Sequence, residues 1–192
     1  KWAKNNLTDE TRQFLTIVVK SADRMKILIS ELLHFSRIGR NRAIEKVDCN
    51  EALKEVLSDM DFAIRENKAI IHADNLPFIE GNKTDIKQVF QNLVSNALKF
   101  KNNVATPEIH IRCEEKNKKW EFSVSDNGIG IDEEYVNKIF LIFQRLHTEK
   151  EYPGTGIGLA TCKKIIELYE GDIWVNSSPG SGSTFYFTIP KT

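Results

Sequence analysis

Apolar residues recur at helical spacing over residues 5–37, a stretch that contains neither proline nor glycine. This spacing predicts one long helix. Seven of its positions alternate in steps of four and three residues and form a heptad seam: Phe14, Val18, Ser21, Met25, Leu28, Leu32 and Phe35. Further apolar residues make the face wider than a two-stranded seam requires and favour a helical bundle. They are Leu15, Ala22, Ile29 and Leu33. No second helix of similar length follows, so we expect another chain, or a segment outside this one, to cover the face.

After residue 47 the pattern changes to alternating helices and strands. Helices are predicted over residues 48–67, 84–100 and 158–169, and strands over residues 69–73, 77–80, 108–114, 120–125, 171–176 and 183–189. Turns near residues 117 and 180 predict antiparallel hairpins. We therefore predict an α+β chain. A long N-terminal bundle helix (residues 1–44) precedes a two-layer α/β sandwich (residues 45–192). Its mixed, largely antiparallel sheet is covered on one face by about three helices.

Charge and composition narrow the classes of function. The 192 residues include 27 Lys and Arg and 27 Asp and Glu, and this balance excludes the basic surface typical of nucleic-acid-binding proteins. No apolar run approaches the roughly 18 residues that span a membrane, so we expect no membrane contact by this segment. Cys49, Cys113 and Cys162 lie far apart without metal-ligand spacing, which predicts reduced thiols in a cytoplasmic protein.

One predicted helix carries candidate chemistry along its polar face. Gln88, Asn92, Asn96 and Lys99 follow one another at steps of four, four and three residues and form a single stripe. Asparagine is a poor helix former, so its repeated use inside a helix needs another reason. A carboxamide oxygen can ligate Mg²⁺ without adding charge, and lysine can hold phosphate oxygens. The alternative is that the stripe is simply the wet side of the helix.

Two glycine-rich turns offer further candidates. The turn at residues 126–131, Asp-Asn-Gly-Ile-Gly-Ile, follows an apolar strand. Its carboxylate can accept from an exocyclic amine, although an ordinary Asn-Gly turn is the alternative. Residues 154–160, Gly-Thr-Gly-Ile-Gly-Leu-Ala, lead into a helix whose first N–H groups can face an anion. This second turn is neither a Walker loop nor a dinucleotide fingerprint, and alone it does not define a ligand.

A segment rich in phenylalanine lies between the two turns. Phe140 and Phe143 either anchor a mobile loop or belong to the core as aromatic residues on a helical turn. Arg145, His147 and Lys150 could meet phosphates when such a loop closes. For His147 and Lys150 we favour simple solvation.

Taken in order, these four segments resemble the ATP-binding catalytic domain of sensor histidine kinases. That domain belongs to a superfamily shared with gyrase, heat-shock chaperones and mismatch-repair ATPases. Residues 91–100 are similar to its asparagine box, 126–131 to its first glycine box, 139–143 to its phenylalanine box and 154–160 to its second glycine box. The tail at residues 171–185 also matches, and the resemblance extends over residues 5–190. The short lid, residues 144–153, is similar to that of phytochrome-type kinases.

The resemblance implies ATP and Mg²⁺ as cofactors and assigns roles to individual residues. Asn96 would ligate the Mg²⁺ that bridges the ATP phosphates, and Asn92 would support nearby phosphate or water. Lys99 would contact phosphate, and Asp126 would receive the adenine amino group. The remaining residues expected to shape the pocket and the lid are Gly128, Gly130, Arg145, Gly154, Thr155, Gly156, Gly158 and Leu159.

The resemblance also implies that residues 9–38 are the second helix of a hairpin that dimerises into a four-helix bundle. The first helix, which carries the phosphoacceptor histidine, would lie outside this chain. We therefore expect ATP binding without autophosphorylation of the chain itself. His34 is followed by Phe35 rather than by an acidic residue, so we expect a packed or surface histidine there. The intact protein would be a homodimer that relays its phosphoryl group to a response regulator in the cytoplasm, whether it is soluble or membrane-anchored.

Two other classes of function stay open. An ATP-hydrolysing relative of gyrase or chaperone type would use a glutamate base where Asn92 stands, and a carboxamide cannot take up the proton of water. A nucleotide-binding dimerisation or sensing module would lack kinase activity altogether. Adding the upstream hairpin helix distinguishes that module from a kinase, because only a kinase would then show phosphotransfer.

Overall fold

The computed structural model describes residues 8–40, 43–102, 105–146, 152 and 154–191. The chain divides into two units, Lys1–Arg37 and Ile38–Thr192. The first unit contains one helix of 29 residues, α1 (Asp9–Arg37), with acidic residues in its first turn and basic residues in its last turn. This charge distribution complements the helix dipole. The predicted long helix is confirmed over these residues, and none of its described side chains is buried.

The second unit combines helices and strands as predicted. Its elements in chain order are β1 (Glu45–Asp48), α2 (Cys49–Asp59), α3 (Asp61–Glu66), β2 (Ile70–Ala73), β3 (Phe78–Gly81), α4 (Lys83–Lys99), β4 (Glu108–Lys116), β5 (Lys119–Asp126), α5 (Gly158–Glu167), β6 (Ile173–Ser177) and β7 (Ser183–Pro190). A short 3-10 turn covers Glu133–Tyr135. Neither α1 nor any other described helix combines the length and the apolar character that a bilayer crossing requires.

The main sheet has five strands in the order β2-β4-β5-β7-β6. Only the β2–β4 pair is parallel, and the other three pairs are antiparallel. Both predicted hairpins are confirmed. At the β4–β5 turn Asn117 and Lys118 have φ of 51° and 62°, the left-handed backbone that a two-residue hairpin turn requires. The sheet is therefore mixed and largely antiparallel, as the sequence predicts.

Helices cover one face of this sheet, and the core lies between the two layers. Phe90 of α4 meets Phe122 of β5 and Phe187 of β7 edge-on, with ring centroids 6.1 Å apart in both pairs. The rings of Phe122 and Phe187 stack at 4.7 Å. All three side chains are at most 1% exposed. This aromatic cluster fixes α4 against the middle of the sheet, which positions the polar face of the helix.

One predicted element was wrong in its extent. The helix predicted over residues 48–67 is interrupted at Met60 and forms α2 and α3. The strand predicted at residues 77–80 is confirmed as β3, which lies outside the main sheet and pairs with β1. The sequence did not predict β1, because only Val47 of its four residues is buried and no alternation of apolar residues marks it.

Candidate functional site

Helix α4 is the element around which the candidate residues gather. Asn82 caps its start, accepting hydrogen bonds from the backbone N–H groups of Thr84 and Asp85. Its apolar side is buried, whereas the four polar residues of the predicted stripe are half-buried: Gln88, Asn92, Asn96 and Lys99. A helix side that only faces water would leave such residues exposed. The stripe therefore forms part of a wall that other segments partly cover.

Asp126, the last residue of β5, stands at one end of this wall. Its Oδ1 accepts hydrogen bonds from Gly128 N at 2.8 Å and from Ser183 N at 3.3 Å. Within the described part of the chain, Oδ2 accepts none. Burial raises the pKa of Asp126, and the two backbone donors oppose that rise. The site thus holds a partly buried carboxylate with one oxygen fixed by the backbone and one left for a ligand donor.

The first glycine turn packs against the C-terminal end of α4. Ile129 N donates to Phe100 O at 2.9 Å. A Cβ on Gly128 would lie 2.3 Å from the same carbonyl oxygen, and one on Gly130 would lie 2.0 Å from Ser178 O. Gly130 also has a φ of +73°, which side chains disfavour. These glycines are required by close backbone packing, which brings Asp126 beside the end of the asparagine-bearing helix.

The second glycine turn also packs against this helix, on its polar stripe. A Cβ on Gly154 would lie 2.7 Å from Lys99 Nζ, and one on Gly158 would lie 3.3 Å from Asn92 Oδ1. Asn92 Nδ2 donates to Gly158 O at 3.1 Å. Between them Gly156, at a φ of +78°, accepts a hydrogen bond from Phe143 N at 3.0 Å. The turn is therefore tied to the asparagine helix and to the phenylalanine segment.

The start of α5 leaves backbone donors available. Thr155 Oγ1 accepts from Ile157 N at 3.4 Å, and Ile157 makes no side-chain capping bond. Within the described residues, the N–H groups of the first helical turn have no acceptor; they belong to Gly158, Leu159 and Ala160. Such unpaired donors at a helix start attract anions.

Two neighbouring cations belong to the same region: Lys99 lies beside Gly154 of the second glycine turn, and Arg145 is close enough to Lys99 to affect its charge. Burial lowers the pKa of Lys99, and the positive charge of Arg145 lowers it further. Arg145 also donates through Nη2 to Tyr152 O at 3.0 Å. In the ranges that the structure describes, neither cation forms an ion pair with a carboxylate. Two partly desolvated cations without a counter-ion suit a polyanionic ligand such as a triphosphate.

Asn96 lies one helical turn before Phe100, the residue on which the first glycine turn packs. Its side chain is half-buried and, among the described residues, has no hydrogen-bond partner. The described residues contain no cluster of three or more His, Cys, Asp or Glu side chains suited to a metal ion. This chemistry fits Mg²⁺ that is bound mainly by phosphates and water, with Asn96 as a single protein ligand.

The two phenylalanines of the segment at residues 139–143 differ in their surroundings. Phe140 is half-buried and packs on the core, whereas Phe143 is 52% exposed with a φ of 67°. Its neighbours Leu141 and Ile142 are also exposed. Phe143 is therefore not a core aromatic residue on a helical turn, because its backbone turns left-handed to reach Gly156.

For the predicted histidines and the lid, the structure adds little. His34 is exposed on α1. His147, Lys150 and most of the lid lie outside the described residues. Sequence reasoning missed two contributors to the site, the backbone N–H of Ser183 on Asp126 and the bond from Gln88 to Asn92. A backbone donor leaves no mark in a sequence, but the position of Gln88 on the polar stripe was a usable signal.

Residues 81–192 match the family described as "Histidine kinase-, DNA gyrase B-, and HSP90-like ATPase". Among curated relatives, the chain is 45% identical to Cyanobacterial phytochrome A of Nostoc sp. (strain PCC 7120) over 97% of its own length. That match covers 24% of the phytochrome, so the chain spans about a quarter of this relative.

Solved structures agree with this match. Full-length ShkA, solved in complex with AMPPNP, has a TM-score of 0.75 and 27% identity, covering 97% of this chain and 40% of ShkA. The histidine kinase ThkA, solved in complex with the response regulator protein TrrA, has a TM-score of 0.72 and 29% identity. That match covers 98% of this chain and 54% of ThkA.

Proposed function

Because the chain belongs to the histidine kinase-, DNA gyrase B- and HSP90-like ATPase family, we propose that it is the ATP-binding catalytic part of a two-component sensor histidine kinase. The parent protein transfers the γ-phosphoryl group of ATP to a histidine that lies outside this chain, and a response regulator then receives it. ThkA, which matches 98% of this chain, is a histidine kinase.

One observation carries the proposal: two separate glycine turns pack against α4. The first bonds to Phe100 O. The second approaches Lys99 and, through Gly158 at the start of α5, bonds to Asn92. A carboxylate, a free carboxamide, two cations and unpaired backbone donors are thereby gathered around one helix, as an adenine nucleotide with its phosphates requires.

Each residue then has a distinct task. Asp126 Oδ2 accepts from the adenine amino group while Oδ1 stays fixed by Gly128 and Ser183. Asn96 supplies a neutral oxygen to Mg²⁺, which offsets phosphate charge when bound. Lys99 and Arg145 neutralise further phosphate oxygens. Phosphoryl transfer needs mainly such positioning and charge stabilisation, so no side chain here has to form a covalent bond.

The geometry of Asn92 favours transfer over hydrolysis. Its Nδ2 donates to Gly158 O, a contact that a carboxylate cannot make because it has no proton to give. The side chain at this position therefore works as a donor that ties α5 to α4. A general base for water would have to accept a proton here, and Asn92 cannot.

The remaining features of the parent protein follow from the same proposal. The exposed apolar face of α1 pairs with a second copy, which makes the protein a homodimer. ThkA was solved with a response regulator protein, and we propose a partner of that kind for this protein. Phosphorelay from ATP also places the catalytic part in the cytoplasm.

The test is calorimetric titration of the chain with AMP-PNP and Mg²⁺. The Asp126→Asn variant should bind at least about tenfold more weakly, because a hydrogen bond to a charged group contributes about 1.5–3 kcal/mol. The matched control is Asp172→Asn, which changes an exposed carboxylate of the same sheet region. This control should bind like the unmodified chain.

The pH dependence sharpens this test. Burial raises the pKa of Asp126 above its ordinary 3.8. As the pH is lowered toward that raised pKa, the carboxylate takes up a proton, and the affinity of the chain for the nucleotide should fall. The folded state holds this proton more strongly than the unfolded state, so the ionised group destabilises the fold at neutral pH. Asp126→Asn should therefore bind weakly without a loss of Tm. Unchanged affinity in Asp126→Asn would refute the adenine assignment, and no binding by the unmodified chain would refute the function.

A further inference from the structure

We propose that Gln88 is a positioning residue of the nucleotide site, which acts through Asn92 to hold the first turn of α5 in place for the phosphates. This inference rests on the proposed function. Gln88 lies one helical turn before Asn92 on α4 and is half-buried. Its Nε2 donates to Asn92 Oδ1 at 3.4 Å, and Asn92 Nδ2 donates to Gly158 O at 3.1 Å. Two hydrogen bonds in series thus connect α4 to the start of α5.

The carbonyl of Gly158 fixes which atoms donate and which accept in these two hydrogen bonds. Gly158 O is a carbonyl oxygen and can only accept, so Asn92 must turn its amide nitrogen toward it. The carboxamide oxygen of Asn92 then points the other way. Gln88 meets that oxygen with its own NH₂ group, which is a donor. Without a donor at position 88, the Asn92 oxygen would lose this partner, and its amide would be less firmly oriented.

The surroundings leave Asn92 little room to adapt. A Cβ on Gly158 would lie 3.3 Å from Asn92 Oδ1, which is already a tight approach. The Cys162 thiol of α5 is fully buried and donates to Val89 O of α4 at 4.0 Å. Burial raises the pKa of Cys162 to about 12, so the thiol stays protonated at neutral pH. The two helices are therefore packed closely beside Asn92, and Gln88 supplies the contact to Asn92 on its own helix.

This arrangement matters because α5 begins without a side-chain cap. Ile157 makes no capping bond, and the N–H groups of the first turn have no acceptor among the described residues. In the proposed site those N–H groups face phosphate oxygens. A shift of the first turn would misdirect them and weaken phosphate binding. The adenine end should be unaffected, since the hydrogen bonds that hold Asp126 come from Gly128 and Ser183 and not from Gln88.

The experiment compares two substitutions on the same helix. Gln88→Met keeps the length of the side chain and removes its donor, and Gln91→Met makes the same change at an exposed position. With Mg²⁺ present, we expect Gln88→Met to bind AMP-PNP about fivefold more weakly, which corresponds to about one neutral hydrogen bond. Its affinity for adenosine, measured by NMR titration, should not change. Gln91→Met should match the unmodified chain with both ligands.

A double-mutant cycle tests whether Gln88 acts through Asn92. In an Asn92→Ala background, Gln88→Met should cause no further loss of AMP-PNP affinity. Additive losses would overturn the inference, and so would equal weakening of adenosine and AMP-PNP by Gln88→Met. Gln88→Leu removes the same donor with a different side-chain shape and should show the same selective loss, which keeps the test decisive if Gln88→Met folds poorly. If the unmodified chain binds AMP-PNP and Gln88→Met binds it equally well, this inference alone fails. If the unmodified chain does not bind, the proposed function fails and the inference falls with it.

Discussion

The long N-terminal helix and the α/β unit place similar side chains in opposite environments. On α1, Phe14, Val18 and Met25 are 61%, 62% and 58% exposed, although they lie on a regular heptad seam. In the second unit, by contrast, Phe90 and Phe122 are completely buried. The second unit thus completes its own core, whereas the described side chains of α1 leave an apolar face uncovered. Periodicity predicts which face will be covered, but it does not say by which partner.

Polar residues also differ in their surroundings between α1 and the second unit. The charged side chains of α1 are mostly exposed. The polar stripe of α4 is half-buried, and Asn96 has no partner among the described residues. Leaving a half-buried carboxamide without a partner destabilises a fold unless a ligand or water satisfies it. Polar groups of that kind are candidates for ligand contacts, which is the role that we propose for the polar stripe of α4.

The largest expected effect comes from breaking the core of the second unit. Phe90→Ala should lower the free energy of unfolding by about 3–5 kcal/mol, since it leaves a cavity against Phe122 and Phe187. Phe14→Ala on α1 should leave the unfolding of the second unit unchanged. The measurement is urea unfolding followed by the fluorescence of Trp120 and Trp174, in a Trp2→Phe background. Equal losses of unfolding free energy in both variants would contradict the claim that the second unit folds around its own core without α1.

The next largest effect should come from a charge placed on the heptad seam of α1. Met25→Glu should weaken self-association of the chain by at least about tenfold, because an unpaired carboxylate would be buried in the dimer. Gln13→Glu adds the same charge at an exposed position off the seam and serves as the control. Analytical ultracentrifugation measures both. Nucleotide affinity should be unchanged in either variant, and a dimer that survives Met25→Glu would show that the seam is not the interface.

The smallest expected effect concerns the charged contact between α2 and α4. Glu55 accepts hydrogen bonds from Lys83 at 2.8 Å and Lys87 at 2.9 Å, and these bonds lower the pKa of Glu55 below its ordinary 4.5. A lowered pKa stabilises the fold above the ordinary value and loses that effect as pH falls. Glu55→Gln should therefore lower Tm slightly at neutral pH and low salt.

The control for this pair is Glu66→Gln, which changes an exposed carboxylate on α3. The difference in Tm between the two variants should disappear in acid below pH 4.5 and shrink at high salt, since salt screens exposed charges. A difference that persists in acid would mean that packing, not charge, makes the contribution of Glu55.

The sequence predicted most of the fold because its signals were local and regular. The alternation of Phe122 and Val124 marks a half-covered strand, and the heptads mark α1. The short strand β1 escaped because its pairing with β3 is set by tertiary contacts rather than by its own residues. Likewise, nothing local predicts the helix break at Met60.

The sequence predicted which residues belong to the candidate site, but it did not predict the contacts that bring them together. Four short motifs placed Asn96, Asp126 and Gly156 on the list of candidates. Their convergence depends on backbone contacts, such as Ile129 N to Phe100 O, which any side chains could make. The role of Gln88 depends on the direction of one carboxamide, and that direction is set by a carbonyl on another helix. Long-range contacts of this kind cannot be derived from spacing along a single chain.

The most direct test of the account is an NMR titration of the ¹⁵N-labelled chain with AMP-PNP and Mg²⁺. The account predicts that the backbone amide signals of Gly128, Gly156 and Gly158 shift together, with one common Kd, while those of the uncovered sheet face at His72 and Tyr186 stay in place. Shifts confined to one glycine turn, or separate affinities for the two turns, would show that these segments do not surround a single nucleotide.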